Sequence, residues 1–252
     1  MTLAEMADHS VAWPGIRETS SHPIRLVLAG TAARFDSLTG SRVPAWSAGV
    51  TFPATNTIVV KLKGDPRQAL RHELAHLALH SAVQRVPRWF DEGYAAVAAG
   101  EWDRLDVLRV NWALAKGDVP TFDQMDADLE GGAARAEAAY ALAASAVQFL
   151  ERIDDQRGLA PLISTLGHTA DFDAALRQTH AVTLEQLEEL WRRDLKRRYG
   201  WLSFLSSITI FWAGIGALLA AAWAWRRRRD RERRLALDQG WELPPEDDDP
   251  TA

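Results

Sequence analysis

Two spacings of apolar residues organise the chain. Residues 24–28 and 57–62 are short runs rich in branched side chains and read as strands. Gly49–Phe52 is a partner for the second run across a Pro-Ala-Thr-Asn turn. From residue 65 the spacing becomes helical. Asp65-Pro66-Arg67-Gln68 combines an N-cap Asp, Pro at the first helical position and Gln three residues after the cap. Leu70, Leu74, Leu77 and Ala78 then mark a buried stripe, and Pro87 ends the segment. A second helical stretch runs from Pro87 to Gly100. Further periodic segments cover residues 103–116, 133–153, 159–166 and 172–179. Thr183-Leu184-Glu185-Gln186 is a capping box for a helix reaching Arg198. The pattern predicts an α+β domain over residues 23–199, with a small sheet first and helices after it. Residues 1–22 offer no recognisable element and are expected to be poorly structured.

A different pattern follows. Residues 201–225 form a run of twenty-five without a charge, about 37 Å long as a helix and enough for a tilted bilayer crossing. Trp201, Trp223 and Trp225 stand at its ends, where indoles favour the membrane interface. Residues 226–229 are all arginine, and the tail to residue 252 turns acidic. A single transmembrane helix at 201–225 is therefore expected, with a basic then acidic tail at 226–252. Basic residues are more numerous after the run than before it, which favours a cytoplasmic C-terminus and an extracytoplasmic domain. That orientation calls for a signal peptide, and residues 1–30 carry no apolar core of that kind; a tail-anchored arrangement is the alternative.

Composition narrows the picture in two ways. The net charge of −5 argues against a general nucleic-acid binder. The absence of cysteine means that any metal must be held by nitrogen and oxygen. Nothing in the pattern reports the oligomeric state.

Residues 71–80, Arg-His-Glu-Leu-Ala-His-Leu-Ala-Leu-His, carry the chemistry. His72 and His76 are one turn apart on the first helix, so two imidazoles share a face and can grip one ion. Glu73 lies about 100° around the helix, placed to hold a water beside the ion without being a ligand. Catalytic zinc takes three protein ligands and keeps one position open. His80 is evenly spaced with the other two histidines, but each turn advances about 5.4 Å, too far for three successive residues to meet one ion. His80 is expected at the helix end, against the last carbonyls. Glu92, sixteen residues past His76, is the other candidate.

HExxH at residues 72–76 is the arrangement of zinc metallopeptidases, and Trp89-Phe90-Asp91-Glu92-Gly93-Tyr94-Ala95 is similar to the WxxEGxA signature. Together they resemble the gluzincin metallopeptidases, the aminopeptidase-N-like branch and the small peptidase MA-like domains in particular. The gap between His76 and Glu92 is a few residues shorter than in the larger gluzincins, which suits the minimal form of the domain. The resemblance implies zinc held by His72, His76 and Glu92, with Glu73 as general base and Gly93 allowing close helix packing. It also implies an edge strand that binds substrate backbone, for which Gly49–Phe52 or residues 57–62 could serve. An oxyanion donor is expected as well. Of three tyrosines, Tyr94 should point away from the metal and Tyr199 borders the apolar run. Tyr140, in Ala138-Ala139-Tyr140-Ala141, resembles the Tyr at the matching place and is the candidate, with His168 a substitute and a core role for Tyr140 the alternative.

Aminopeptidase relatives hold the substrate amine with a Glu near the edge strand, and residues 41–62 contain no carboxylate. The expectation is a membrane-anchored zinc endopeptidase acting on peptides or proteins. Arginines at 67, 71, 85 and 88 flank the motif, so hydrolysis would take place in water and not within lipid. The rival from another class is a non-catalytic, membrane-anchored zinc-binding or interaction module.

Overall fold

The computed structural model describes residues 2–8, 12–16, 23–40, 43–44, 46–117, 119–199 and 201–238, and their side chains except those of 104, 134, 201–210 and 236–238. The chain divides into two units, Met1–Trp201 and Leu202–Ala252. In the first unit the described elements are α1 (Leu3–Asp8), β1 (Arg25–Ala29), α2 (Ala32–Thr39), β2 (Gly49–Phe52), a 3-10 turn (Pro53–Thr55), β3 (Thr57–Lys61), α3 (Pro66–Ala82), α4 (Arg88–Ala99) and α5 (Arg104–Lys116). They continue with α6 (Phe122–Leu129), α7 (Ala133–Ile153), α8 (Ala160–Leu166), α9 (Phe172–His180) and α10 (Leu184–Tyr199). This is a mostly helical α+β fold with a three-stranded sheet.

The sheet runs in the order β1-β3-β2, with β1 parallel and β2 antiparallel to β3. β3 is therefore central, and Ile58, Val59 and Val60 are all buried. Alternate side chains face opposite sides of a strand. Ile58 and Val60 accordingly join the main core with Leu70 and Leu74 of α3, while Val59 meets Ala29 and Phe35 in a second, smaller core. Phe35 comes from α2, an element that the apolar pattern did not announce. Asn56 supplies the left-handed residue (φ 45°) that closes the turn between β2 and β3.

α3 begins as its sequence directs: the Asp65 carboxylate accepts from the Arg67 and Gln68 amides, each at 3.1 Å. Leu70, Leu74 and Ala78 are buried, and Leu77 is half-buried. α4 starts at Pro87, which has no capping side chain. Asp126 of α6 takes that place, accepting from the Trp89 amide at 2.6 Å and the Arg88 amide at 3.3 Å. Trp89 then stacks on Phe122 with ring centroids 4.1 Å apart. Further along, α4 lies directly against the alanine-rich α7. A Cβ on Gly93 would come within 2.5 Å of the Ala143 carbonyl oxygen, so only glycine permits this approach. That close packing brings α7 side chains beside α4.

The N-terminal segment is tied in more firmly than its pattern suggested. Leu3–Asp8 is helical, Trp13 is buried in the main core, and the Tyr94 hydroxyl donates to the Pro14 carbonyl at 2.9 Å.

All but the first residue of α11 (Trp201–Asp238), a continuous helix of 38 residues, belongs to the second unit. Here the structure departs from expectation: among the described residues no helix is long and apolar enough to cross a membrane. The helix also does not end at the arginines but carries them to Asp238.

Candidate metal centre

His72 and His76 project from α3 with their Nε2 atoms 3.1 Å apart. Glu92, from α4, brings Oε2 to 3.6 Å from the first and 3.5 Å from the second. A point equidistant from the corners of that triangle lies about 2.0 Å from each, the length of zinc–nitrogen and zinc–oxygen bonds. Two imidazole nitrogens and a carboxylate oxygen, with no thiolate in the chain, are a donor set that suits zinc. The three expected residues are thus brought together, and their geometry fits the ion.

The outer nitrogens of both imidazoles are held as well. His72 Nδ1 donates to Glu101 at 3.0 Å, and His76 Nδ1 donates to Asp91 at 2.7 Å. A carboxylate behind a ligating imidazole fixes its ring and its tautomer, so both Nε2 atoms are left facing Glu92. The second oxygen of Asp91 accepts from His80 Nε2 at 2.9 Å. His80 therefore does not meet the last carbonyls of α3; packing of α3 on α4 sets Asp91 beside it instead. Asp91 and Glu101 were not singled out from sequence. The adjacency of Asp91 to Glu92 was the one available sign, because helix packing and not spacing makes these contacts.

Electrostatics follow from this pairing. Burial opposes charge on His72, yet Glu101 and Glu92 outweigh it and raise the imidazolium to about 9. Burial likewise opposes charge on His76, and Asp91 and Glu92 outweigh it so that its pKa is also raised. Burial alone would push the two carboxylates up, but His76 and His80 hold Asp91 near 2, and His72 and His76 keep Glu92 well below the usual range. Without a metal the surrounding carboxylates favour the protonated form of these imidazoles.

Glu73 sits beside this cluster in a cradle made by β2. The Thr51 hydroxyl lies 2.7 Å from Glu73 Oε2, to which it donates, and 2.9 Å from the Glu73 carbonyl oxygen. A Cβ at Gly49 would stand 2.7 Å from Glu73 Cγ, so glycine leaves the carboxylate its space. Burial raises the Glu73 pKa, more than His76 and His72 lower it.

A cleft of about 290 Å³ opens onto these groups, and its wall includes Trp46, Gly49, Thr51, Arg88 and Tyr140. Tyr140 stands edge-on to Trp46 with centroids 5.9 Å apart, lining the cleft while also packing against the main core. Burial, and then the charge of Glu92, keep its phenol protonated. His168 is exposed just past α8 and is not part of the cleft wall. Tyr94 points to Pro14, away from the metal ligands. Of the two strands considered for substrate pairing, β3 has neighbours on both sides, whereas β2 is an edge whose residues line the cleft.

No curated protein and no solved structure matches the chain. A family model does: the Peptidase MA superfamily matches residues 15–197, a span that takes in the helices carrying His72, His76 and Glu92, the β2 cradle and Tyr140. With that match over most of its length, the chain belongs to the Peptidase MA superfamily and has its metallopeptidase-like fold.

Proposed function

We propose that this chain is a zinc-dependent endopeptidase. The observation that carries the reading is the convergence of His72, His76 and Glu92 on one point, with an uncoordinated, proton-hungry Glu73 in the same cleft. A zinc ion held there supplies Lewis acidity to water and to a substrate carbonyl. Glu73 takes the proton of the attacking water on its carboxylate and returns it to the leaving amine, and its raised pKa suits both halves of that transfer. β2 offers its free edge to an extended substrate backbone, which orients the scissile bond along the cleft. Tyr140 keeps its proton and donates it as a hydrogen bond to the developing oxyanion. The acidic residues of the cleft wall are Glu73, Asp91 and Glu92, and the last two are engaged by histidines. None of the three is left to receive a substrate's terminal ammonium, which supports internal cleavage. The test is hydrolysis of casein by the full chain, lost on chelation and restored by zinc, with products sequenced by mass spectrometry. Internal fragments are expected. Stepwise loss of amino-terminal residues would reassign the specificity, and no hydrolysis by fully zinc-loaded protein would leave a non-catalytic zinc module as the reading.

Tyr140→Phe separates the oxyanion role from a packing role. The substitution removes one hydroxyl from a half-buried ring, so zinc content should not change. The loss of one oxyanion donor is expected to lower kcat by roughly 10²–10³-fold. A kcat within twofold of wild type would assign Tyr140 to packing alone.

The charge state of the metal-free site has its own signature. The fold raises His72 from 6.5 to about 9, so the stabilisation it contributes is fully present below pH 6.5 and fades as pH rises through about 9. Chelated protein should therefore lose thermal stability between pH 7 and pH 9.5. Zinc binding should release protons in that range and tighten with rising pH. Calorimetry in two buffers of different ionisation enthalpy reads this directly. Proton release of zero at pH 7.5 would contradict the pairing of His72 with Glu101.

We further propose that residues 201–225 anchor the chain in a bilayer. The support is sequence-based: twenty-five uncharged residues, tryptophans at both ends and a following arginine cluster. By the same charge asymmetry the C-terminus would lie in the cytoplasm and the peptidase domain outside it. Resistance of the full chain to carbonate extraction tests the anchor, and release into the soluble fraction would remove it.

A further inference from the structure

We infer that α5 is an interfacial helix that seats the peptidase domain on the membrane surface, an inference that rests on the anchoring reading above. A surface helix ordinarily turns its polar residues outward. α5 does the reverse. Leu105, Leu108 and Trp112 are 57%, 55% and 63% exposed, and Ala115 is exposed in line with them. These positions follow one another at i, i+3, i+7 and i+10, so they form one apolar strip along the helix, with Arg109 and Lys116 at its edge. The inward face, with Val110, Asn111 and Ala113, is buried, and α5 packs on α7 and α10. The outward face is thus an apolar strip that no described residue covers, on a helix held by α7 and α10.

Three observations favour lipid as its occupant. First, place: Trp102, just ahead of α5, lies with its ring 6.3 Å from that of Tyr199, the last residue of α10. Tyr199 stands two residues before the uncharged run begins, so α5 lies beside the C-terminal end of the domain's last helix. Second, charge: Lys116 lies 5.3 Å over the Trp112 ring, and the last turns of α10, which packs on α5, expose Lys196 together with Arg193, Arg197 and Arg198, the three arginines paired with Glu189 and Asp194 of the same helix. An apolar strip that carries a tryptophan with a lysine over its ring suits the interface of an anionic bilayer. Third, size: three large side chains and an alanine fall short of the roughly 800 Å² per partner that a stable protein interface buries. A bilayer has no such minimum, because the anchor supplies the affinity and the strip needs only to fix orientation.

The natural chain has no cysteine, so a single labelling site can be introduced cleanly. The full chain, as Leu108→Cys, would carry a nitroxide and be reconstituted into phosphatidylcholine–phosphatidylglycerol vesicles. Arg85→Cys, exposed at the opposite end of α4 from α5, is the reference. Zinc stoichiometry equal to that of the unlabelled chain confirms that each variant is folded. With the chain floating on a density gradient, oxygen should relax the label at 108 more strongly than a water-soluble nickel chelate does, and the order should reverse at 85. Flotation with the label at 108 as wet as at 85 overturns the α5 seat and leaves the anchor standing. Failure to float overturns both. A label at 108 that is shielded from oxygen and nickel alike, and that shows dipolar broadening between copies, overturns the seat in favour of self-association.

Discussion

Glu73→Gln is expected to leave zinc binding intact and lower kcat by about 10²–10⁴-fold, the range that a positioned general base contributes. Each side of that expectation has a structural reason. Glutamine has the volume of glutamate, so the cradle formed by Gly49 and Thr51 still fits it, and its amide oxygen can accept from the Thr51 hydroxyl as the carboxylate does. His72, His76 and Glu92 converge without help from residue 73, so the metal site has no cause to loosen. What disappears is the one group in the cleft that can take a proton from water and give it back. The loss corresponds to about 3–5 kcal/mol of transition-state stabilisation, with KM little altered because nothing that binds substrate has moved. Casein hydrolysis and zinc content measured on the same preparation decide it. Full activity in Glu73→Gln would remove Glu73 as base, whatever the metal content.

How much of this site could be read in the sequence depends on how local each contact is. His72, Glu73 and His76 lie on one helix whose caps are written at residues 65–68, so their relative placement follows from helical geometry alone. Glu92 was legible only because it stands in a second motif; helix geometry set His80 aside but could not by itself point to Glu92. The hydrogen bonds of Asp91 to His76 and His80, and of Glu101 to His72, depend on how α3 packs on α4, and no periodicity encodes that. The β2 cradle is more distant still: Thr51 and Glu73 are twenty-two residues apart, and β2 was readable as a strand but not as the wall behind a base.

Among the elements, α2 escaped notice because Phe35 and Leu38 are too few to set a period. α6 carried a sign that was available, Thr121 and Gln124 in the same capping-box spacing as Thr183 and Gln186. The grip of Trp13 and Pro14 on the core is a long-range contact with Tyr94 and left no local trace. Gly93 is the instructive intermediate. Its motif suggested close packing, but only the nearness of the Ala143 carbonyl, which would stand 2.5 Å from an added Cβ, explains how α7, and with it Tyr140, comes so close to α4.

Glu92→Ala is expected to strip the site of zinc, which distinguishes a ligand from the base beside it. Removing a carboxylate that merely orients a ligating histidine costs about 10–100-fold in metal affinity, so removal of a direct ligand should cost at least about 10²-fold. The two remaining imidazoles share one helix and offer the ion two bonds where three were available. A 100-fold loss is about 2.7 kcal/mol of binding free energy. Zinc stabilises the fold only to the extent that it binds the folded state, so at a fixed zinc concentration well above the wild-type Kd the variant forfeits up to that amount. For a domain of this size, each kcal/mol is roughly 2–4 °C in Tm, and the zinc-dependent rise in Tm should shrink by about 5–10 °C. The chelated proteins should differ much less, because Glu92 without zinc contributes only its pairing with His72 and His76. Zinc stoichiometry after dialysis, together with Tm measured with and without zinc, makes the comparison, and Asp91→Asn run in parallel should fall between Glu92→Ala and wild type. If Glu92→Ala keeps stoichiometric zinc and the full thermal shift, then Glu92 is not a ligand, and the third position on the ion belongs to another group in the cleft.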